Sequence, residues 1–304
     1  MEISQLRYFL KLAEVGQFTR AASELALSQP ALSRSILKLE EELGQPLFER
    51  LGRSVVLTQA GEMLHQRAEQ ICGLVDDVKA RITDDGEMGI VRVGAIPTIA
   101  PYFLPNVFRE FSAACPGANL RLTEDTTERL VKQCGRGEID VVVLALPAST
   151  PHLVCEPLFD EELRLVMPRG HELSDRKRIK VDDLAREPFV LLGEGHCLAH
   201  QIESFCARKR VQGVSVEKTS QLLSVQELVA LGHGISFIPA MAAGLDRDDR
   251  RVYRSLVGEK PTRTIAIATN PYRFQSKLQK RFLAYLRKES GAIKSARLSE
   301  GNIY

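Results

Sequence analysis

The chain has 304 residues, 44% hydrophobic and 26% charged, a balance that suits two or three globular domains and excludes wholesale disorder. Its net charge is only +2, and residues 1–60 carry seven Lys/Arg against seven Asp/Glu, so any contact with nucleic acid must come from how charges are arranged and not from their sum. The longest purely apolar run, Val141 to Leu146, is far short of a membrane span, and the start MEISQLRYFL lacks the basic and long apolar segments of an export signal. With six cysteines, such a chain is expected to keep reduced thiols in the cytoplasm instead of a disulfide framework.

Leu6, Phe9, Leu10, Leu12 and Ala13 give a first helix its apolar face, and Gly16 fits its end. Thr19 is placed to cap a second helix carrying Ala21, Ala22 and Leu25. Ser28 fits an N-cap with Pro30 in the first turn of a third helix, whose apolar stripe runs Leu32, Ile36, Leu39 and Leu43. The other face of that helix shows Gln29, Ser33, Arg34 and Lys38, side chains able to bond base edges or phosphates near the helix start. Glu40, Glu41 and Glu42 point away from DNA or repel it. The stretch QPLFERLGRSVVLT reads as two short strands around Leu51 and Gly52, with Arg50 and Arg53 on a wing beside the phosphate backbone. A winged helix-turn-helix is the economical reading, although a three-helix bundle with a solvated polar face fits the same pattern.

From Thr58 onward Leu64, Ala68, Ile71, Val75, Val78 and Ile82 form a helical seam suited to pairing with a second copy or to packing on the chain's own C-terminal region, ahead of a linker at TDDGEMG. Beyond Ile90 the short runs IVRVGA, DVVVLAL, FVLL and ISFIP alternate with helical stretches such as 126–136 and 274–288, which predicts a doubly wound α/β region of about 200 residues. Folds of this kind bind ligands at the carboxyl ends of strands, so Ile96, Pro97 and Thr98 are a candidate site wall; Thr98 can equally be a helix cap. The last stretch, KESGAIKSARLSEGNIY, has few large apolar residues and suggests a flexible tail.

In LLGEGHCLAHQIESFC, Gly193 and Gly195 end a strand and a helix begins near Cys197, which places a thiol at the positive end of a helix dipole. A neighbour such as His196, or Arg263 if folding brings it close, would then lower the thiol pKa. Cys206 lies nine residues on, about 13.5 Å along a helix and half a turn round it. A disulfide needs Cα atoms within about 7 Å, so a bond between the two would require unwinding. Both cysteines can also be inert small hydrophobes, the role expected of Cys72, Cys115, Cys134 and Cys155. No G-x-S-x-G elbow, metal cluster or phosphate loop is visible, which leaves a thiol peroxidase built on Cys197 as the main enzymatic alternative.

The segment FTRAASELALSQPALSRSILKLEEELGQPLFER, followed by LTQAGE, strongly resembles the DNA-binding domain of LysR-type regulators over Met1 to about Gly61. The resemblance implies that Gln29, Pro30, Ser33 and Arg34 lie in or beside the groove, and that the sensor has two αβ lobes joined by crossing strands, as in periplasmic binding proteins. Within that family GHCLAHQIESFC, IPTIAPYFLP and EPLFDEEL resemble the OxyR-type hydrogen-peroxide sensors. This implies that Cys197 is the peroxide-reacting cysteine and Cys206 the resolving one, with Thr98, Thr127, His196 and Arg263 around a peroxide pocket; Thr126 competes with Thr127 for its place. His200 stands where the family usually has an acid. The expected organisation is a winged helix-turn-helix at 1–58, a dimerisation helix and linker at 59–89, a two-lobed redox-sensing α/β domain at 90–292 and a tail at 293–304. Expected partners are double-stranded promoter DNA, hydrogen peroxide, further copies of the chain (a dimer through 59–85, then a tetramer), a cellular dithiol reductant and, for an activator, RNA polymerase; no metal or cofactor is expected. The alternative within the family is a regulator that binds a small anionic metabolite in the interlobe cleft.

Overall fold

The computed structural model describes the backbone of all residues except 53, 84–85, 87, 194–196, 210–213 and 302–304, and the side chains of these except 76–77, 79–83, 214–217 and 295–301. The chain divides into two compact units, Met1–Asp84 with Pro271–Ser276, and Asp85–Asn270 with Lys277–Tyr304.

The first unit opens with α1 (Ile3–Val15), which buries Leu6, Phe9 and Leu12 and stops at Gly16, whose φ of 72° lets its N–H reach Leu12 O. The second helix, α2 (Phe18–Glu24), has Gln17 at its N-cap, so Thr19 sits inside the first turn and does not cap it. In α3 (Gln29–Leu43) the Ser28 hydroxyl accepts from Ala31 N–H at 3.4 Å, Pro30 occupies the first turn, and Leu32, Ile36 and Leu39 are buried. Leu43, expected in that stripe, is 40% exposed. Strands β1 (Phe48–Leu51) and β2 (Ser54–Leu57) pair antiparallel as a wing. The wing is tied to α3 by Glu40, whose Oε1 accepts from Leu47 N–H at 2.7 Å and Phe48 N–H at 3.2 Å.

Helix α4 (Gln59–Thr83) uses its seam in two ways. Leu64, Ala68 and Ile71 pack with Cys72 into the core of the winged helix-turn-helix, while Leu74 and Val78 stay more than half exposed; the side chain of Ile82 lies outside the described residues. Periodicity located the apolar face but not its partner, because a helix stripe packs equally well on its own domain or on another chain. Gly61, in the first turn of α4, allows the close approach of helix and wing. A Cβ there would stand 2.2 Å from the Leu47 carbonyl oxygen and 3.0 Å from Leu57 Cδ2.

The second unit is a mixed α/β structure with two hydrophobic cores. Its larger sheet places β3 (Gly89–Ala95) parallel to β4 (Ala118–Glu124) and β5 (Val141–Leu146). Next to β5 runs antiparallel β11 (Thr262–Thr269), and then antiparallel β6 (Val154–Pro168). The sheet is therefore not purely parallel: β6 spans both cores, giving Leu158 and Phe159 to the first and Leu163, Leu165, Val166 and Met167 to the second. Helices α5 (Ala100–Ala114), α6 (Thr127–Arg136) and α10 (Lys277–Gly301) complete the first lobe, with Phe111 against Phe282 at 5.1 Å between ring centroids. Helix α10 runs through the segment where composition suggested a tail. The second lobe contains β7 (Pro188–Leu192) parallel to β8 (Val214–Thr219), with β9 (Ser236–Pro239) and β10 (Arg251–Arg254) each pairing with β6. Its helices are α7 (Cys197–Arg208), α8 (Leu222–Ala230) and α9 (Ala240–Leu245).

The crowding at Gly61 gives a direct stability prediction. Gly61→Ala should lower the unfolding midpoint of the N-terminal unit, at a cost of about 1–3 kcal/mol, because a backbone carbonyl and not a pliable side chain must give way. An unchanged midpoint in denaturant would contradict this packing.

Candidate functional site

Two surfaces carry the chemistry-bearing residues. On the first unit Gln29, Pro30, Arg34 and Lys38 are exposed on α3 and Ser33 is half-buried, so the polar face opposite the Leu32, Ile36 and Leu39 stripe is open. Arg50 on β1 is exposed, and its guanidinium carbon stands 5.6 Å from the centroid of the Phe18 ring. Arg53 lies outside the described residues.

On the second unit the parallel strands β3, β4 and β5 end side by side, and the segments that follow them build a cavity. Ile96, Pro97 and Thr98 follow β3, and Thr126 and Thr127 follow β4. Cys197 and Leu198, from the first turn of α7, close the opposite wall. The space is about 10 Å³, room for one molecule the size of water. Thr98 is not a helix cap: Ile99 holds the N-cap of α5, and the Thr98 hydroxyl accepts from Arg263 Nη1 at 2.8 Å while its carbonyl accepts from Nη2 at 2.9 Å. Arg263 is itself buried, and the fully buried Glu161 lies 2.8 Å from its Nη2. The Thr127 Oγ1 is buried with no hydrogen-bond partner besides the Cys197 sulfur, whose ionised form it favours by donating to it.

The structure thus brings Cys197, Thr98 and Thr127 to one cavity with Arg263 behind it, whereas His196 lies outside the described residues. Thr126 also lines the space, but it is the N-cap of α6, and the hydroxyl beside the sulfur belongs to Thr127. A second, wider cavity of about 560 Å³ adjoins Cys197 and Thr127 and is walled by Val131, Pro147, Ala148, Pro151 and the exposed His200. Two further residues shape the site without any sequence signal for it. Glu161 sits in an acid-rich stretch that reads as surface, and Gln201 donates from α7 to the Leu146 carbonyl at 3.0 Å, fastening that helix to the end of β5.

Helix α7 carries both cysteines, and they face different cores: Cys197 packs against the first lobe and Cys206 against the second. Burial pushes the Cys197 thiol above its ordinary pKa, against the opposing pull of the Arg263 charge, the Thr127 hydroxyl and the helix-start N–H groups. The helix-dipole argument predicts the opposite sign; it fails because desolvation of the thiolate outweighs the nearby positive charge. Cys206 is pushed up to about 11, chiefly by burial and then by Glu203. Cys72, Cys115 and Cys134 are buried in cores, and Cys155 Sγ bonds Thr150 Oγ1 at 3.3 Å.

A raised pKa means that the thiol form of Cys197 dominates at neutral pH and the thiolate fraction grows as pH rises. Alkylation of Cys197 by iodoacetamide should therefore accelerate roughly tenfold per pH unit from about pH 7 to 9 without levelling. A plateau below pH 8 would show that the charges around the thiol outweigh its burial.

Comparison with known proteins agrees with this architecture over most of the chain. Residues 3–62 match the family of bacterial regulatory helix-turn-helix proteins of the lysR type, and residues 84–291 match the LysR substrate binding domain. The DNA-binding transcriptional dual regulator OxyR of Escherichia coli strain K12 is 35% identical over 274 residues, covering 89% of this chain and 90% of the relative. A full-length OxyR variant from Pseudomonas aeruginosa superposes with a TM-score of 0.75 at 30% identity, covering 95% of this chain and 94% of that one. A hydrogen-peroxide-bound mutant of Corynebacterium glutamicum OxyR gives a TM-score of 0.64 at 29% identity, covering 99% and 96%. The chain belongs to the LysR family of bacterial helix-turn-helix regulators, and within that family it is OxyR-like.

Proposed function

We propose that this protein is a DNA-binding transcription regulator of the oxidative stress response, which senses hydrogen peroxide through a reversible Cys197–Cys206 disulfide. The observation that carries the reading is the cavity itself. Its core is sized for one water-like molecule, walled by a cysteine thiol, and fitted with a buried Thr127 hydroxyl aimed at that sulfur and engaged by no other protein group. Together with the wider cavity that adjoins it at Cys197 and Thr127, the site has room for a small polar ligand with two oxygens that reaches the hydroxyl and the sulfur at once, and a hydrogen-peroxide-bound relative of the same fold supports the choice.

Peroxide enters the cavity and the Cys197 thiolate attacks one oxygen. The S–O bond forms as the O–O bond breaks, sulfur is oxidised to a sulfenic acid, and the departing hydroxide takes up a proton to become water. The Cys206 thiol then displaces water from the sulfenic acid to form the disulfide. A cellular dithiol restores both thiols and is itself oxidised to a disulfide. Because the two thiols start in different cores on one helix, the bond cannot form with α7 intact.

The output is DNA binding. Gln29, Pro30, Ser33, Arg34 and Lys38 on α3 face the major groove, and Arg50 and Arg53 lie beside the phosphates. The exposed Leu74 and Val78 on α4 pair with a second copy through 59–85, and dimers assemble further into a tetramer. As a promoter-bound regulator the protein works in the cytoplasm, and if it activates, it contacts RNA polymerase. The wide cavity beside His200 favours a second reading, in which a small anionic metabolite in the cleft is the signal and the two cysteines are incidental.

Titration with micromolar peroxide, followed by disulfide mapping and by footprinting on promoter DNA, separates the two. The peroxide reading expects a Cys197–Cys206 bond and a changed footprint, no response in Cys197→Ser, and a trapped sulfenic acid without disulfide in Cys206→Ser. Thiols that stay reduced while DNA binding persists would sink it in favour of the metabolite.

A further inference from the structure

Glu161 is a carboxylate with no exposed surface, placed between the cavity and the second lobe. Its Oε2 accepts from Arg263 Nε at 2.9 Å, and its Oε1 accepts from the Met241 N–H, in the first turn of α9, at 2.8 Å. A guanidinium is a rigid planar fork of five N–H donors. With the Nε and Nη2 edge set on Glu161, the Nη1 end is directed at Thr98, where it donates to the hydroxyl at 2.8 Å. That bond uses a lone pair of Thr98 Oγ1 and leaves the hydroxyl's own proton for the cavity wall that Thr98 forms.

We propose that Glu161 is a positioning residue for the peroxide reaction, fixing Arg263 in the orientation that turns the Thr98 hydroxyl proton toward the departing oxygen. The inference rests on the reading of Cys197 as the peroxide-reacting thiol. As the sulfur electron pair forms the S–O bond and the O–O bond breaks, negative charge collects on the leaving oxygen. A hydrogen bond donated there is stronger in the transition state than to neutral peroxide. Without its carboxylate the guanidinium is free to rotate, and Thr98 can turn its proton elsewhere.

Iodoacetamide provides the control, because its leaving group is iodide and it reports thiolate availability without an oxygen to stabilise. Rates of peroxide oxidation and of alkylation at Cys197 are measured side by side for the wild type, Glu161→Gln, Thr98→Val and the double variant. Glu161→Gln should slow peroxide oxidation by about tenfold, a fraction of the loss typical of removing a transition-state donor outright. Alkylation should stay unchanged or quicken, since Arg263 then acts on the sulfur without an opposing charge. The double variant should be no slower with peroxide than Thr98→Val alone, because the two residues act through one bond. Removing one member of a buried ion pair can unfold a protein. Glu161→Asp, which keeps the charge but draws it back by one methylene, therefore carries the same test with a smaller peroxide-selective loss. Equal losses in both reactions, or multiplying losses in the double variant, would overturn the proposal. A wild-type Cys197 with no preference for peroxide over iodoacetamide would instead bring down the peroxide reading, and this inference with it.

Discussion

Helix α7 holds two thiols on opposite sides, each packed against a different hydrophobic core, and the behaviour proposed for the second unit follows from that constraint. Cys197 faces the first lobe from the first turn and Cys206 faces the second lobe near the end. Between them Leu198, Ala199, Ile202 and Phe205 are buried, and burial of each larger side chain contributes about 1.5–3 kcal/mol. Gln201 adds a hydrogen bond across to Leu146. Packing therefore stabilises the reduced arrangement, and any covalent link between the sulfurs has to displace much of it. Such a link would favour a second, discrete packing, because a close-packed core does not deform continuously.

Reactivity at the same helix start reflects competing electrostatic effects. Burial opposes formation of the thiolate, while Arg263, Thr127 and the N–H groups of the first turn favour it. Arg263 can sit fully buried there because Glu161 and Thr98 satisfy its fork between them. An isolated charge in that position would be far too costly to retain, so the pocket's electrophilic side depends on a carboxylate that never touches the cavity. In the first unit Glu40 has a comparable role, since it bonds the backbone of the wing and sets its place beside α3.

Local punctuation made much of this legible in the sequence. Gly16, Ser28 with Pro30, and Gly44 mark helix ends by their own backbone demands, and the start of α7 at Cys197 follows from the glycines before it. Thr98 and Cys197 follow from the strand end and the helix start beside them, whereas Thr127 comes only from the family resemblance and Arg263 needed it to be placed beside the thiol. What stayed hidden depends on tertiary surroundings. Glu161 is one acid in the run Asp160, Glu161 and Glu162, and alternation along β6 turns only that one fully inward. The sign of the Cys197 shift needed the depth of burial, and the partner of Leu64, Ala68 and Ile71 needed the fold. Helix α10 continued past 293 because its Ala, Lys, Arg and Leu favour a helix even without a large apolar face.

On this geometry a Cys197–Cys206 bond and an intact α7 exclude each other. Amide hydrogen exchange across residues 198–208, compared between the reduced protein and protein oxidised by one equivalent of peroxide, tests it most directly. Slow exchange through α7 is expected in the reduced state, with loss of that protection once the disulfide has formed. Formation of the bond with α7 still protected would contradict it.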